Sequence, residues 1–177
     1  MECELFDRER TILHNLSKMP VLLLDMRDRD NVSEFLLHDL CSKYCFNLQK
    51  AAYLVDNPDF CCLRGVAGFS LDEAYPESTS VWYEADAFSD HMANSAFNNH
   101  VRRVNQCSVD AKEKTSLLKN IRAIANGLHF DDYDVCSWQL PNDNYGIVLY
   151  QKDDPTDNII DQYLMNGLSL LSFCPLF

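Results

Sequence analysis

Three potential metal ligands lie at helical spacing early in the chain. His38, Cys41 and Cys45 occupy positions i, i+3 and i+7, so a helix would carry them on roughly one face. Imidazole and thiolate groups are ligands that zinc and iron accept. The same face, however, carries the apolar stripe with which the helix must cover a sheet, and the sequence places no fourth ligand. We therefore predict buried structural thiols here and no bound metal.

The other cysteines make a weaker case for thiol chemistry. Cys61 and Cys62 are neighbours in a predicted strand, so their side chains point to opposite faces of a sheet. Cys107 precedes a predicted helix start, where the backbone dipole favours a thiolate, but it stands alone. The chain has eight cysteines without a Cys-x-x-Cys pair, and we predict that they are reduced.

A segment in the middle of the chain is rich in aromatic, amide and imidazole side chains. A small-molecule pocket needs this mixture of apolar wall and polar groups, although the same mixture also suits a segment that docks its aromatic rings on a sheet. We predict that a ligand binds between the sheet and residues 82–107. The candidate ligand-binding residues are Trp82, Tyr83, Phe88, His91, Phe97, Asn98 and Arg102, together with Trp138 from a later hairpin.

Charge and hydropathy exclude several classes of partner. The formal net charge is −12, and the few Lys and Arg residues are scattered, so we expect no nucleic acid to bind. No window approaches the roughly 18 consecutive apolar residues of a membrane span, and the N-terminus is charged where a signal peptide is apolar. We therefore expect a cytoplasmic protein that does not bind a membrane. Its length is that of one domain, 1–177, with 1–30 as an N-terminal helical extension.

Two hairpins dominate the predicted fold. Residues 49–69 form two apolar runs around Asp56-Asn57-Pro58-Asp59, and both faces of each run are apolar, which predicts a central hairpin covered on both sides. Residues 134–151 form a second hairpin around Pro141-Asn142-Asp143-Asn144, with cleaner alternation. Helical patterns separate the hairpins. This order predicts an α+β fold with a mostly antiparallel central sheet and helices on both faces.

Helical spacing predicts the remaining elements. A helix over 3–19 is interrupted by Pro20, and 21–26 fits either a strand or a further helical segment. A capping-box-like pair, Asn31 and Glu34, starts a helix that runs to Phe46. Further helices are expected over 91–104, from a Ser108 cap to Gly127, and from Asp154-Pro155 onward.

Both ends of this pattern resemble a GAF domain. The first match is FLLHDLCSKYCFNLQKAAYLVDNPDFCCLRGVAGFSLDE, and the second is WQLPNDNYGIVLYQKDDPTDNIIDQYLMNGLSLL; together they cover about 31–71 and 134–172. The resemblance implies a GAF/PAS-like sheet with the N- and C-terminal helices packed together. It also implies a non-catalytic regulatory or signal-transduction domain that senses a small molecule or mediates protein interaction. Members of this family host cyclic nucleotides, haem, bilins, small acids or nothing, so the cofactor is left unassigned.

Two alternative functions remain open beside the sensor domain, and the terminal helices predict an oligomeric state. One alternative is a thiol-dependent enzyme acting on a small metabolite, similar to the free methionine sulfoxide reductases of the same fold, and the other is a ligand-free dimerisation module. Because the apolar ending 173–177 would otherwise leave an exposed patch, we predict either a two-fold homodimer through a four-helix arrangement of the terminal helices or a longer protein whose continuation covers them. The apolar stripes expected to take part are Leu5, Ile12 and Leu16 in the first helix and Ile160, Leu164, Leu168 and Leu171 in the last.

Overall fold

The computed structural model describes residues 2–76, 80–108, 114–154 and 159–175. The helices in these ranges are α1 (Glu2–Asp25), α2 (Val32–Cys41), α3 (Ala85–Asn94), α4 (Ala96–Arg102), α5 (Lys114–Gly127) and α6 (Ile159–Ser169). The strands are β1 (Leu48–Asn57), β2 (Cys62–Ser70), β3 (Asn105–Gln106), β4 (Asp134–Gln139) and β5 (Tyr145–Lys152). Short 3₁₀ turns cover Pro58–Phe60, Leu71–Glu73 and Leu170–Phe173.

The strands of these ranges form one antiparallel sheet in the order β3-β2-β1-β5-β4. Strand β1 is central and pairs with β2 on one side and β5 on the other, so the two predicted hairpins lie side by side. The prediction of an α+β fold with a mostly antiparallel sheet is therefore confirmed. The short edge strand β3, which pairs with Leu63 and Arg64, was not predicted.

Both faces of the sheet are covered, because successive side chains of β1 enter two different cores. Ala51 and Tyr53 pack in a core with α1, α2 and α6, whereas Ala52 and Leu54 pack in a core with α4 and α5. A strand buried on both sides has apolar residues in succession rather than in alternation. This is why the run in β1 could be read as a central strand from sequence.

Strand β2 lets helix α4 approach unusually closely, because two of its residues have no side chain. A Cβ on Gly65 would lie 1.8 Å from the Val101 carbonyl oxygen, and one on Gly68 would lie 2.7 Å from Val101 Cγ2. The Gly65 N–H also donates to the Val104 carbonyl at 3.0 Å. The end of α4, with Arg102, is thereby held against the hairpin end of the sheet.

Several predicted element boundaries are wrong. Pro20 lies inside the continuous helix α1, on its exposed side, where water can serve the carbonyl that the proline leaves unpaired, so 21–26 is neither a strand nor a separate helix. Helix α2 ends at Cys41 instead of continuing to Phe46. The helix expected over 91–104 is two helices, which begin earlier and break at Ser95, whose hydroxyl caps α4 by accepting from the Asn98 N–H. The predicted starts at 109–113 and 155–158 lie outside the described residues.

The terminal helices lie beside each other on one face of the sheet. The Tyr163 hydroxyl of α6 donates to Glu9 of α1, and both helices contact α2. Of the predicted apolar stripes, Ile12, Leu164, Leu168 and Leu171 are buried in the chain's own core, and the side chains of Leu5 and Ile160 lie outside the described part. Among the helices described, none is long and apolar enough to cross a membrane.

Candidate ligand cavity

A cavity of about 770 Å³ lies at the end of the sheet where the β1–β2 hairpin turns. Chain segments far apart in sequence enclose it: the start of α2, the hairpin, the end of α4, the β4–β5 turn and Pro175 near the C-terminus. Its volume falls within the roughly 300–1,000 Å³ typical of small-molecule sites. The cavity is larger than the second cavity described below, which has about 230 Å³.

Strand pairing builds the floor of this cavity. The register places Val55 opposite Arg64 and Asn57 opposite Cys62, so these residues lie together on the face of the sheet that α2 covers. Phe60, in the hairpin turn, is 81% exposed and stands at the rim. The floor is therefore apolar at Val55, with one guanidinium group and an aromatic ring beside it.

Helix α2 supplies the roof through a buried carboxylate. Glu34 accepts hydrogen bonds from Asn31 Nδ2 at 3.1 Å, from Asn98 Nδ2 at 2.9 Å and from Arg102 Nη1 at 3.0 Å. Asn98 in turn accepts from the Gly68 N–H at 2.9 Å. The predicted capping box is wrong, because the Asn31 side chain makes no capping bond and instead donates to the Glu34 carboxylate. Glu34 thus ties α2 to α4, and through Asn98 to β2.

The β4–β5 turn contributes an amide group. Asn142 and Asp143 both have positive φ, at 59° and 55°, as the central residues of a type I′ hairpin turn do. This tight turn carries Asn144 to the cavity wall. The Asn144 Oδ1 atom is enclosed and accepts no hydrogen bond in the described structure.

Positive and negative groups balance in the lining. Asp30 and Glu34 face Arg64 and Arg102 in the cavity, whereas the whole chain carries a net charge of −12. Arg102 is engaged with Glu34, while Arg64 and Asp30 form no ion pair with any described residue. The cavity is therefore locally neutral, with one unused cation and one unused anion.

Of the sequence-predicted ligand residues, one group lies on α3 and just before it, and none of this group lines the cavity. The Trp82 indole N–H donates to Asp39 at 2.9 Å, and its ring packs on Phe35. Phe88 is fully buried in the core, and His91 is hydrogen-bonded to the Glu73 carbonyl oxygen at 2.7 Å. Tyr83 is 86% exposed.

The remaining predicted residues are divided between the two cores and the cavity. Arg102 lines the cavity, and Asn98 lies fully buried behind it as a partner of Glu34. Phe97 packs with the second core, and Trp138 stacks on Tyr53 and donates to Ser172 Oγ at 2.8 Å. The structure does not bring this set together around one space, and its role in ligand binding stays a prediction.

Burial governs the chemistry of several thiols. It raises the pKa of Cys45 to about 12 and that of Cys174 to about 11, and the pKa of Cys41 also rises well above its usual value. A raised pKa disfavours the nucleophilic thiolate. The nitrogen Nε2 of His38 accepts a hydrogen bond from the Tyr75 N–H, so it is not free to bind a metal. Within the described ranges no three His, Cys, Asp or Glu side chains are grouped as metal ligands.

A second, smaller cavity of about 230 Å³ lies beside the first turn after α2 and includes His38, Asp39 and Val81. Burial, with a smaller effect of His91, lowers the pKa of His38 to about 4, so the ring is neutral at pH 7. Burial also raises the pKa of Asp39, although the Trp82 hydrogen bond opposes this shift. Both groups are held by internal hydrogen bonds, and this space is smaller than most ligand sites.

The sequence carried weak signals for the residues that were missed. Arg64 is the single charge within the apolar run 60–69, which distinguishes it from its neighbours in the sequence. Asn144 belongs to a recognised turn, but no pattern showed that this turn approaches the first hairpin. Asp30 stood in an acidic stretch that is typical of a solvated surface.

Comparisons with protein-family models, with curated protein sequences and with solved structures find no match to this chain.

Proposed function

We propose that this chain is a non-catalytic, cytoplasmic regulatory domain of GAF type that binds a small molecule in the cavity at the hairpin end of its sheet. The observation that carries the proposal is the cavity itself: about 770 Å³, with an apolar floor and a few converging polar groups. Such a mixture of apolar surface and directed polar groups is typical of ligand sites rather than of packing defects.

The position of the cavity supports a regulatory role. Its roof is the first turn of α2, and α2 packs against both terminal helices, α1 and α6. A ligand that contacts the Asp30–Glu34 segment would therefore bias the helices through which a signalling domain communicates.

For the proposed homodimer, the large apolar side chains that α1 exposes include Phe6, Leu13 and Leu24, which recur at intervals of seven and eleven residues.

A thermal-shift screen with a metabolite library of mixed charge tests the proposal. A ligand at one hundred times its Kd stabilises by about 2.7 kcal/mol, which for a domain of this size raises Tm by roughly 5–10 °C. We expect at least one such compound, and Phe60→Ala should reduce its effect, because Phe60 lines the cavity yet contributes little buried surface to the fold. Tyr83→Ala, equally exposed but outside the cavity, is the matched control.

Hits that respond to Tyr83→Ala and ignore Phe60→Ala would move the site to residues 82–107 and refute the cavity proposal. A library without any stabilising compound would favour the ligand-free dimerisation module instead.

A second candidate function, the thiol-dependent metabolite enzyme, is favoured by one observation. Cys62 lines the cavity, with its Sγ 3.6 Å from Asn105 Oδ1. Incubating the protein with a screened ligand under reducing conditions separates the two functions. The regulatory proposal predicts that NMR finds the ligand unchanged, with equal affinity for Cys62→Ser, whereas turnover abolished by Cys62→Ser would establish the enzyme.

A further inference from the structure

The polar groups of the cavity divide into those that are used and those that are not. Glu34 and Arg102 hold each other, and Asn31 is bonded to Glu34 and Ser89. Among the described residues, Arg64 and Asp30 have no ion-pair partner. The enclosed Oδ1 atom of Asn144 likewise has no hydrogen-bond partner among the described residues.

These unused groups define what a ligand must offer. The Arg64 guanidinium is a planar donor that matches a carboxylate. Asn144 Oδ1 accepts hydrogen bonds only, so it requires an N–H or O–H donor, and Asp30 favours that donor being positively charged. Val55, Val66 and Phe60 supply apolar surface next to these groups.

Ligands of a single charge fit this set less well. An anion alone would pair with Arg64 but would leave Asn144 Oδ1 unpaired and approach the carboxylates of Asp30 and Glu34. A cation alone would leave Arg64 without an acceptor. A molecule carrying both charges satisfies both sides and preserves the neutrality of the cavity.

We propose that the cavity binds an amino-acid-type zwitterion with an apolar side chain, its carboxylate at Arg64 and its ammonium group at Asn144 Oδ1 and Asp30. This inference rests on the proposed function, because it names the ligand class of the same cavity. The apolar side chain of the ligand lies against Val55, Val66 and Phe60.

Calorimetric titration with L-phenylalanine and its two half-molecules is the direct test. 3-Phenylpropanoate lacks the ammonium group and phenethylamine lacks the carboxylate, so each should bind at least about tenfold more weakly than the amino acid. Arg64→Gln should weaken L-phenylalanine about tenfold and leave phenethylamine unchanged. Asn144→Ala should weaken L-phenylalanine and phenethylamine but not 3-phenylpropanoate. Arg122→Gln, an exposed arginine on α5 outside the cavity, should change none of them.

Stability measurements separate binding from folding. Because Asn144 Oδ1 has no partner in the described structure, Asn144→Ala should leave Tm equal or raise it, whereas a structural role of the amide would lower Tm.

One contrary result is that the two half-molecules bind as tightly as L-phenylalanine and that Phe60→Ala weakens them all. This result would overturn the zwitterion inference and leave the proposed function standing. The zwitterion inference also fails, and the proposed function still stands, if L-phenylalanine and L-leucine do not bind while another library compound binds with sensitivity to Phe60→Ala. Absence of any binding sensitive to Phe60→Ala would overturn both.

Discussion

Replacing Asn98 by leucine should cost a large part of the stability of the fold. Asn98 is 0% exposed, and its side chain connects three elements: it accepts from the Gly68 N–H of β2 and donates to Glu34 of α2 and to the Met92 carbonyl of α3. Leucine has a similar volume, so the change removes hydrogen bonds without opening a large cavity.

The magnitude follows from the groups left behind. The change leaves the buried Gly68 N–H without an acceptor, which costs about 1–3 kcal/mol. It also removes the hydrogen bond to the charged Glu34, which is worth about 1.5–3 kcal/mol. The sum predicts a loss of about 4 kcal/mol in the free energy of unfolding. Part of the Glu34 contribution survives, since Asn31 and Arg102 still donate to it.

Urea denaturation followed by far-UV circular dichroism measures this loss. Asn99→Leu is the matched control, because Asn99 is the next residue of α4 and its side chain donates to the Ala93 carbonyl near the surface, so its loss should stay below about 1 kcal/mol. A double-mutant cycle with Glu34→Leu should show a coupling of about 1.5–3 kcal/mol. Equal losses for the two asparagines, or zero coupling to Glu34, would refute the reasoning.

Three further predictions follow from buried groups and exposed surface. Burial keeps His38 neutral in the folded protein, with a pKa of about 4 against 6.5 in the unfolded chain. Because the unfolded chain therefore takes up the proton at a higher pH, the free energy of unfolding falls by about 3 kcal/mol in total as the pH falls from about 6.5 to about 4. Urea unfolding at pH 7 and pH 4.5 should show that His38→Gln loses less unfolding free energy than the wild type. The raised pKa of Asp39 has the opposite effect on stability, but it is present in both proteins and cancels. Equal losses would contradict the neutral state of folded His38. Tyr53→Phe should be neutral or stabilise by up to about 1 kcal/mol in thermal unfolding, because the buried Tyr53 hydroxyl has no hydrogen-bond partner in the described structure, and a clear loss of stability would show that a partner exists. In light scattering, Leu13→Lys should convert the proposed homodimer to a monomer while Thr11→Lys, on a different side of α1, should not; a wild-type chain that is monomeric at high concentration would remove the dimer.

The sheet could be predicted because its strands carry complete local signals. β1 is apolar on both faces, and each hairpin has a turn rich in Asn, Asp and Pro between apolar runs, so strands and turns were found close to their positions. The break between α3 and α4 was missed, because the cap at Ser95 depends on a hydroxyl that serves equally well inside a helix. Pro20 led to the wrong prediction of a helix end, because a helix held by tertiary packing tolerates a proline on its exposed side.

The cavity could not be predicted because no local pattern encodes it. Arg64 and Asn144 come from different hairpins, and only the pairing of both hairpins through β1 and β5 brings them to one end of the sheet. The partners of Glu34 are likewise separated from it by more than sixty residues at Asn98 and Arg102. Local composition directed attention to residues 82–107 because aromatic residues suit a pocket and a core equally well.

Two-dimensional ¹H–¹⁵N NMR during titration with a small-molecule ligand tests the central claim most directly. The cavity account predicts that the amides shifting most belong to Asn31, Ser33, Arg64 and Asn144, and that those of Trp82, Tyr83 and His91 hardly move. Shifts concentrated at Trp82, Tyr83 and His91, with the cavity amides unchanged at saturation, would contradict it.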